Sequence, residues 1–271
     1  MNSARPPSRA RKRFGQHFLH DPAVIGRIVE AVDLRPGDAA VEIGPGRGAL
    51  TPHLLAAAGQ LDAIEIDRDL AAQLQARFEA DRGWTLHTGD ALAMDFSALA
   101  RARGRPLRIV GNLPYNISTP LLFHLLDAPQ AILDMHFMLQ LEVVDRIVAA
   151  PGTGAYGRLT VMLAPWVRPS RLFQVGSGAF QPAPRVDSAL LRMIVQPDPP
   201  SWARSPLLGP LVMAAFGQRR KTLRNGLRQF LTGEAIESLG IDPGARAETL
   251  SPAQFGALAV AAERARDASI R

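Results

Sequence analysis

The sequence predicts an α/β chain, an open and mostly parallel sheet covered by helices, followed by a small all-helical domain. Three observations predict it. The stretch Val41 to Thr51, VEIGPGRGALT, passes from an apolar run into three glycines and then into helix-forming residues, which reads as strand, tight turn, helix. Beyond it, helical and strand periods alternate, and each strand ends on a polar residue of ligand type: Glu65, Asp90, Asn112. After Gln196-Pro-Asp-Pro-Pro-Ser201 only helical spacing remains.

At 271 residues the chain can bury a sizeable core in one large domain or two unequal ones. It has no cysteine, which excludes disulfides, thiolate metal sites and a thiol nucleophile. The six histidines, at 17, 20, 53, 87, 124 and 136, form no ligand-spaced set, so no metal is expected. The amino-terminal stretch lacks the apolar core of a signal peptide, and no apolar run is long enough to cross a bilayer. The reading is therefore a cytoplasmic protein without a membrane partner. Its net charge of +6 is unevenly spread. Residues 1–20 carry Arg5, Arg9, Arg11, Lys12 and Arg13 with no acid, and residues 199–233 carry Arg204, Arg219, Arg220, Lys221, Arg224 and Arg228, again with no acid. Two acid-free basic segments point to a polyanion partner, the alternative being solvated basic faces without a ligand.

Taken in order, residues 1–12 read as a disordered basic arm, small, polar and proline-containing. Asp21 and Pro22 fit a helix N-cap and first helical position. Val24, Ile25, Ile28, Val29 and Val32 then recur at helical spacing until Arg35-Pro36-Gly37 stops the helix. This brings Gln16 to Leu19 to the helix entrance. In the turn, Gly44, Gly46 and Gly48 free the backbone for angles a Cβ forbids and let a ligand approach main-chain N–H groups. The spacing E-x-G-x-G-x-G departs from the dinucleotide pattern G-x-G-x-x-G. Glu42 beside it suits a cation, such as the sulfonium and ammonium groups of S-adenosylmethionine, better than an anion. The turn resembles the first motif of S-adenosylmethionine-dependent methyltransferases. From this stretch alone, another nucleotide-binding α/β domain and a purely structural turn stay open.

A helix over 50–58 and a strand over 61–67 follow. Glu65 lies 21 positions beyond Gly44, near where such a unit places the acid that accepts ribose hydroxyls, the alternative being a strand-end Glu facing solvent. A helix over 69–80 leads to a weak strand over 84–88, after which Asp90 can accept from an adenine amino group. The fourth strand, 107–110, runs into Gly111-Asn112-Leu113-Pro114-Tyr115-Asn116. There an amide oxygen and a main-chain carbonyl can both accept from one exocyclic amine while the Tyr115 ring stacks on the base. Transfer from a sulfonium needs no carboxylate base, because the leaving group is already good.

Asn112-Leu113-Pro114-Tyr115 with Asn116-Ile117-Ser118-Thr119-Pro120, Gln16-His17-Phe18-Leu19 and Glu42-Ile43-Gly44-Pro45-Gly46 together resemble the ribosomal RNA adenine N6,N6-dimethyltransferases. The carboxyl-terminal third separates two branches. Phe180-Gln181-Pro182-Ala183-Pro184-Arg185-Val186-Asp187-Ser188, Ala215 to Asn225 and Gly240-Ile241-Asp242-Pro243 are similar to the small-subunit, KsgA-type branch; the large-subunit macrolide-resistance enzymes are the other. The match covers about residues 11–258. The resemblance implies a Rossmann-like class I methyltransferase sheet, mostly parallel and of seven strands, over 13–195, and a helical RNA-binding domain over 202–271. It implies a monomer acting on small-subunit ribosomal RNA. Cofactor contacts fall on His17, Leu19, Gly44, Gly46, Glu65, Asp90 and Asn112, with Asn112 shared with the target base. Many members carry asparagine where this chain has His17, a residue that could equally pack beside its phenylalanine neighbours. Catalytic positions are Asn112, Leu113, Pro114, Tyr115 and Phe180. Phe180 would cover the base opposite Tyr115, or serve only a proline-stiffened connection.

The last strand is expected over 190–195 and the helices over 207–216, 219–231, 234–239 and 252–265, with Ser251 as N-cap. Within 219–231, Arg220, Arg224 and Arg228 share one face and Leu223 and Leu227 another, so leucines dock and arginines meet phosphates. RNA contacts are assigned to Arg11, Lys12, Arg13, Arg219, Arg220, Lys221, Arg224 and Arg228. The expected activity is transfer of two methyl groups to the N6 of adenosine. Three other readings stay open: a large-subunit adenine methyltransferase, an RNA-binding assembly factor with a vestigial cofactor site, and a nicotinamide oxidoreductase that the glycine spacing disfavours.

Overall fold

The computed structural model describes residues 16–114, 117–217 and 221–270. The chain divides into two compact units. One holds the residues up to Val144 and Pro169–Val195; the other holds Asp145–Arg168 and the residues from Gln196 onward. The arm expected over 1–12 lies outside the described residues.

The first unit opens with a two-residue strand, β1 (Phe18–Leu19), and helix α1 (Pro22–Val32). Asp21 caps α1 as its position in the sequence predicts, accepting from the N–H groups of Ala23 and Val24 at 2.8 and 3.2 Å. Strands and helices then alternate: β2 (Ala39–Ile43), α2 (Thr51–Ala58), β3 (Leu61–Glu65), α3 (Arg68–Phe78), β4 (Trp84–Thr88), α4 (Phe96–Arg103), β5 (Leu107–Asn112), α5 (Ser118–Leu126) and β6 (Ile132–Gln140). Helices α6 (Leu141–Ile147) and α7 (Arg158–Leu163) precede β7 (Val167–Val175), β8 (Phe180–Gln181) and β9 (Ser188–Val195). The main sheet has seven strands in the order β4-β3-β2-β5-β6-β9-β7. β2 to β6 pair in parallel, and β9 runs antiparallel to β6. β1 and β8 form a separate antiparallel pair, with Leu19 opposite Phe180.

The order reverses at β2, whose neighbours are β3 and β5, so the carboxyl ends of β2 and β5 open a crevice where loops diverge. β2 and β5 approach closely there. A Cβ on Gly111 would stand 2.7 Å from the main-chain oxygen of Ile43, so only glycine fits. At the opposite end a buried ion pair fixes the β5–β6 register. Arg108 gives Nε and Nη2 to the two carboxylate oxygens of Asp134, at 3.1 and 2.9 Å. It also bonds the main-chain oxygens of Val32 and Asp33, each at 2.8 Å, and so satisfies carbonyls that the end of α1 leaves open.

The second unit continues with α8 (Leu208–Gly217), α9 (Leu223–Gly226), α10 (Gly233–Glu237) and α11 (Pro252–Ile270). Its core gathers Leu211, Val212, Leu223, Leu227, Ile236, Phe255 and Leu258, joined by Tyr156 and Val161 from the 145–168 segment. Ser251 and Gln254 cap α11 reciprocally: the Ser251 hydroxyl accepts from the Gln254 N–H at 3.3 Å, and Gln254 Oε1 accepts from the Ser251 N–H at 2.8 Å. The single helix expected over 219–231 is not formed. Its described part is one turn, α9, because Thr222 is extended and the Leu223 and Arg224 N–H groups bond Ala245 and Pro243 oxygens at 2.9 Å rather than a preceding turn. Tertiary hydrogen bonds override helical spacing here. Among the described residues no helix is long and apolar enough to cross a membrane.

Candidate functional site

A single cavity at the carboxyl ends of β2 to β5 is lined by His17, Leu19, Gly44, Gly46, Glu65, Asp90, Asn112, Leu113 and Pro114. The structure thus gathers these nine sequence-predicted residues from five separate segments. Tyr115 and Asn116 lie outside the described residues.

The floor is the glycine turn. Gly44, Gly46 and Gly48 take φ of +68°, +60° and +74°, angles that side chains rarely adopt. At Gly46 a Cβ would also stand 3.1 Å from the Phe18 ring, so the amino-terminal segment lies directly on the turn. The Gly46 N–H donates to Glu65 Oε2 at 3.1 Å, and the Asp67 N–H to Oε1 at 2.9 Å. Glu65 is only 4% exposed, so it is held in the cavity wall rather than turned to solvent. Each carboxylate oxygen offers more than one acceptor position, which leaves capacity for two hydroxyls. Burial raises its pKa, opposed by those two N–H groups.

Glu42 is more deeply enclosed, 2% exposed, and accepts the Thr51 hydroxyl at 2.6 Å. Burial pushes its carboxyl up to about 7; Thr51 opposes the shift and the charge of Glu65 adds to it. Asp90 caps the turn after β4, its Oδ1 accepting from the Leu92 N–H at 2.9 Å.

Asn112 gives its side-chain N–H to the main-chain oxygen of His17 at 2.9 Å. A carbonyl can only accept, so the amide nitrogen must face His17, and Oδ1 is the atom presented to another donor. Leu113 packs at 2% exposure, and its N–H reaches Met138 O at 3.4 Å. The Pro114 oxygen accepts from the Ile117 N–H at 3.2 Å and keeps a second lone pair. The His17 ring bonds away from Asn112, its Nδ1 lying 2.7 Å from Pro182 O. Phe180 is 3% exposed and sits in the hydrophobic cluster with Leu19, Met138 and Leu190, where its ring serves packing.

Two wall residues, Ile66 and Arg47, escape the sequence reading, as does the role of Thr51, which is fully buried and bonds Glu42 from nine positions further along the chain. Ile66, 45% exposed, offers an apolar surface just past β3. Arg47 lays its guanidinium 4.4 Å over the Phe18 ring. An exposed isoleucine between two strand-end acids is the one signal that pointed to such a surface. In the second unit, Arg224 and Arg228 are exposed while Leu223 and Leu227 are buried, as expected of those four residues although the helix meant to carry them is not formed; Lys221 is exposed as well. Arg11, Lys12, Arg13, Arg219 and Arg220 lie outside the described residues. Among the described residues no group of three or more His, Asp or Glu side chains is placed to hold a metal ion.

Comparison with known proteins gives four findings. Residues 7–263 match the sequence profile of the family described as Ribosomal RNA adenine dimethylase. The chain is 53% identical over 252 residues to Ribosomal RNA small subunit methyltransferase A of Pseudomonas aeruginosa, covering 93% of this chain and 94% of that protein. Among solved structures, 23S rRNA methyltransferase ErmE superposes with a TM-score of 0.69 at 28% identity, over 91% of this chain and 99% of that one. A dimethyladenosine transferase from Plasmodium falciparum superposes with a TM-score of 0.76 at 23% identity, over 89% and 96%, and shares the fold.

Proposed function

The chain belongs to the ribosomal RNA adenine dimethylase family, and on that premise we propose that it dimethylates the N6 amines of two adjacent adenosines near the 3′ end of small-subunit (16S) ribosomal RNA, using S-adenosylmethionine, during small-subunit biogenesis. The observation that carries the chemistry is Asn112. Its amide is fixed by His17 so that Oδ1 is presented at the mouth of the cavity.

The residues fit the cofactor. A buried carboxylate with spare acceptor capacity, Glu65, suits a vicinal diol; open main-chain angles at Gly44 and Gly46 allow close approach; a second buried carboxyl, Glu42, suits a cation. When bound, the cofactor supplies a methyl group already activated on a sulfonium. Leu19 and His17 close the amino-terminal side, and Asp90 accepts from the adenine amine of the cofactor. Asn112 Oδ1 and the Pro114 oxygen accept the two N–H groups of the target amine, which aims its lone pair. Tyr115 stacks on the target base, returning about 1 to 3 kcal/mol of the few that unstacking costs. Phe180 is buried in the apolar cluster and does not line the cavity, so its part is to hold the β1–β8 pair in place. Catalysis is then mostly positioning, which can supply about 7 to 11 kcal/mol of a barrier. After the first transfer one N–H remains for the two acceptors, and the pocket must admit a methyl group.

The proposal includes a monomeric cytoplasmic protein without a metal. Residues 202–271 form its RNA-binding domain, and phosphate contacts come from Lys221, Arg224 and Arg228 together with Arg11, Lys12, Arg13, Arg219 and Arg220. The likeness to ErmE favours one second reading, a large-subunit substrate. Competition between the purified ribosomal subunits for the protein tests the choice: small subunits lacking the modification should displace a labelled small-subunit particle, and preferential displacement by large subunits would reverse the reading.

A further inference from the structure

Glu42 and Glu65 line one cavity from adjacent strands, at 2% and 4% exposure. Among the described residues the donors to them are neutral: the Thr51 hydroxyl at 2.6 Å to Glu42, and main-chain N–H groups to Glu65. In register, Glu42 is flanked by Ala63 of β3 and Val110 of β5, neither of which offers a charge. Among the described residues the other ionisable groups that line the cavity are Asp90 beyond β4, His17 of the amino-terminal segment and Arg47 of the glycine turn; Asp67 beyond β3 acts on Glu65, and His53 of α2 is exposed. Of the cationic candidates, Arg47 lies over the Phe18 ring and His17 is bonded to Pro182. Two buried carboxylates in one wall cannot both stay ionised at low cost, and the more enclosed one keeps a proton most easily.

We propose that Glu42 reads the charge of the ligand: it holds a proton in the free protein, gives it to solvent when cationic S-adenosylmethionine binds, and takes one back from solvent when the sulfonium has become the neutral thioether of S-adenosylhomocysteine. The proposal rests on the S-adenosylmethionine reading of this cavity. The proton lost by the methylated amine is separate and leaves with the product side of the reaction. Glu42 thereby becomes a specificity-determining residue: above the range where it titrates, substrate is favoured over spent cofactor, and below it that preference fades. The midpoint of about 7 given by burial places this range at neutral pH.

The test is calorimetric titration of the intact protein with S-adenosylmethionine and, separately, S-adenosylhomocysteine. It runs from pH 5.5 to 8.5 in two buffers of unlike ionisation enthalpy. S-adenosylmethionine should bind up to about tenfold tighter per pH unit below pH 7 and level off above it, releasing a proton, while S-adenosylhomocysteine changes by no more than about threefold. Glu42→Gln should abolish both the slope and the released proton. Thr51→Val, which removes the donor, should move the midpoint to higher pH. Identical pH profiles for the two ligands in the wild-type protein would overturn the proposal without any variant, as would a slope that persists in Glu42→Gln. Failure of both ligands to bind at any pH would overturn the cofactor reading itself.

Discussion

The side chain of Asn112 and the main chain of His17, 95 residues apart, share one hydrogen bond of 2.9 Å. It joins the end of β5 to the segment that lies over the glycine turn, and it decides which face of the amide meets a substrate. Asn112→Ala should therefore lower the single-turnover methylation rate by about 10- to 100-fold, since each lost acceptor at a desolvated amine costs about 1 to 3 kcal/mol. Asn112→Asp should do comparable harm, because a carboxylate facing the His17 oxygen has no proton to give. A rate for Asn112→Ala within a few-fold of wild type would show that the assigned role is wrong.

Gly111 decides whether β2 and β5 can close. Its missing Cβ would stand 2.7 Å from Ile43 O and 3.1 Å from the Leu113 side chain, and main chain on both strands cannot yield cheaply. Gly111→Ala should cost about 3 kcal/mol, at the upper end of overpacking penalties, and lower Tm by several degrees. Gly178, where a Cβ meets open space, is the control and should tolerate alanine. Equal melting temperatures for the two variants would refute the steric argument.

His136 is 1% exposed, and neither ring nitrogen has a hydrogen-bond partner among the described residues. Burial lowers its pKa to about 4; Asp134 opposes the shift, and Arg108 and Arg192 reinforce it. The folded state thus refuses a proton that the unfolded chain accepts near 6.5, so the stability is present above 6.5 and drains away as pH falls toward 4. Between pH 7.5 and 5 wild type should lose about 2 kcal/mol more than His136→Leu in urea unfolding. Glu42 works in the opposite sense over an overlapping window, its raised pKa stabilising the free protein at lower pH, so only the difference between wild type and variant isolates His136. Parallel pH profiles would contradict the assignment.

Lys221, Arg224 and Arg228 are exposed on a segment docked by buried Leu223 and Leu227. Replacing all three with alanine should weaken small-subunit RNA binding chiefly at low salt. The slope of log K against log salt should become shallower by about 2 to 3, since each phosphate contact contributes about 0.7 to 0.9. An unchanged slope would mean that these cations face solvent only.

The fold and most of the cavity were legible where information is local. The glycine turn, the Asp21 cap and the strand-end positions of Glu65, Asp90 and Asn112 need only spacing and residue type. β7 was not legible: it is an edge strand whose Arg168, Ser170 and Arg171 are exposed, and Pro169 interrupts its pattern. The Arg108–Asp134 pair and the Glu42–Thr51 bond depend on register and on how α2 leaves the turn, which no local window encodes. Burial of Phe180 follows from pairing of β1 with β8, two short segments more than 150 positions apart. The 219–231 helix failed for the same reason, the Leu223 and Arg224 amides being claimed by the segment around Pro243 and Ala245.

The most direct test of the account is methyl transfer from labelled S-adenosylmethionine to ribosomal subunits that lack the modification, followed by nucleoside mass analysis of their RNA. The account predicts N6,N6-dimethyladenosine in small-subunit RNA and none added to large-subunit RNA. Product that stops at N6-methyladenosine, or label that enters large-subunit RNA instead, would contradict it.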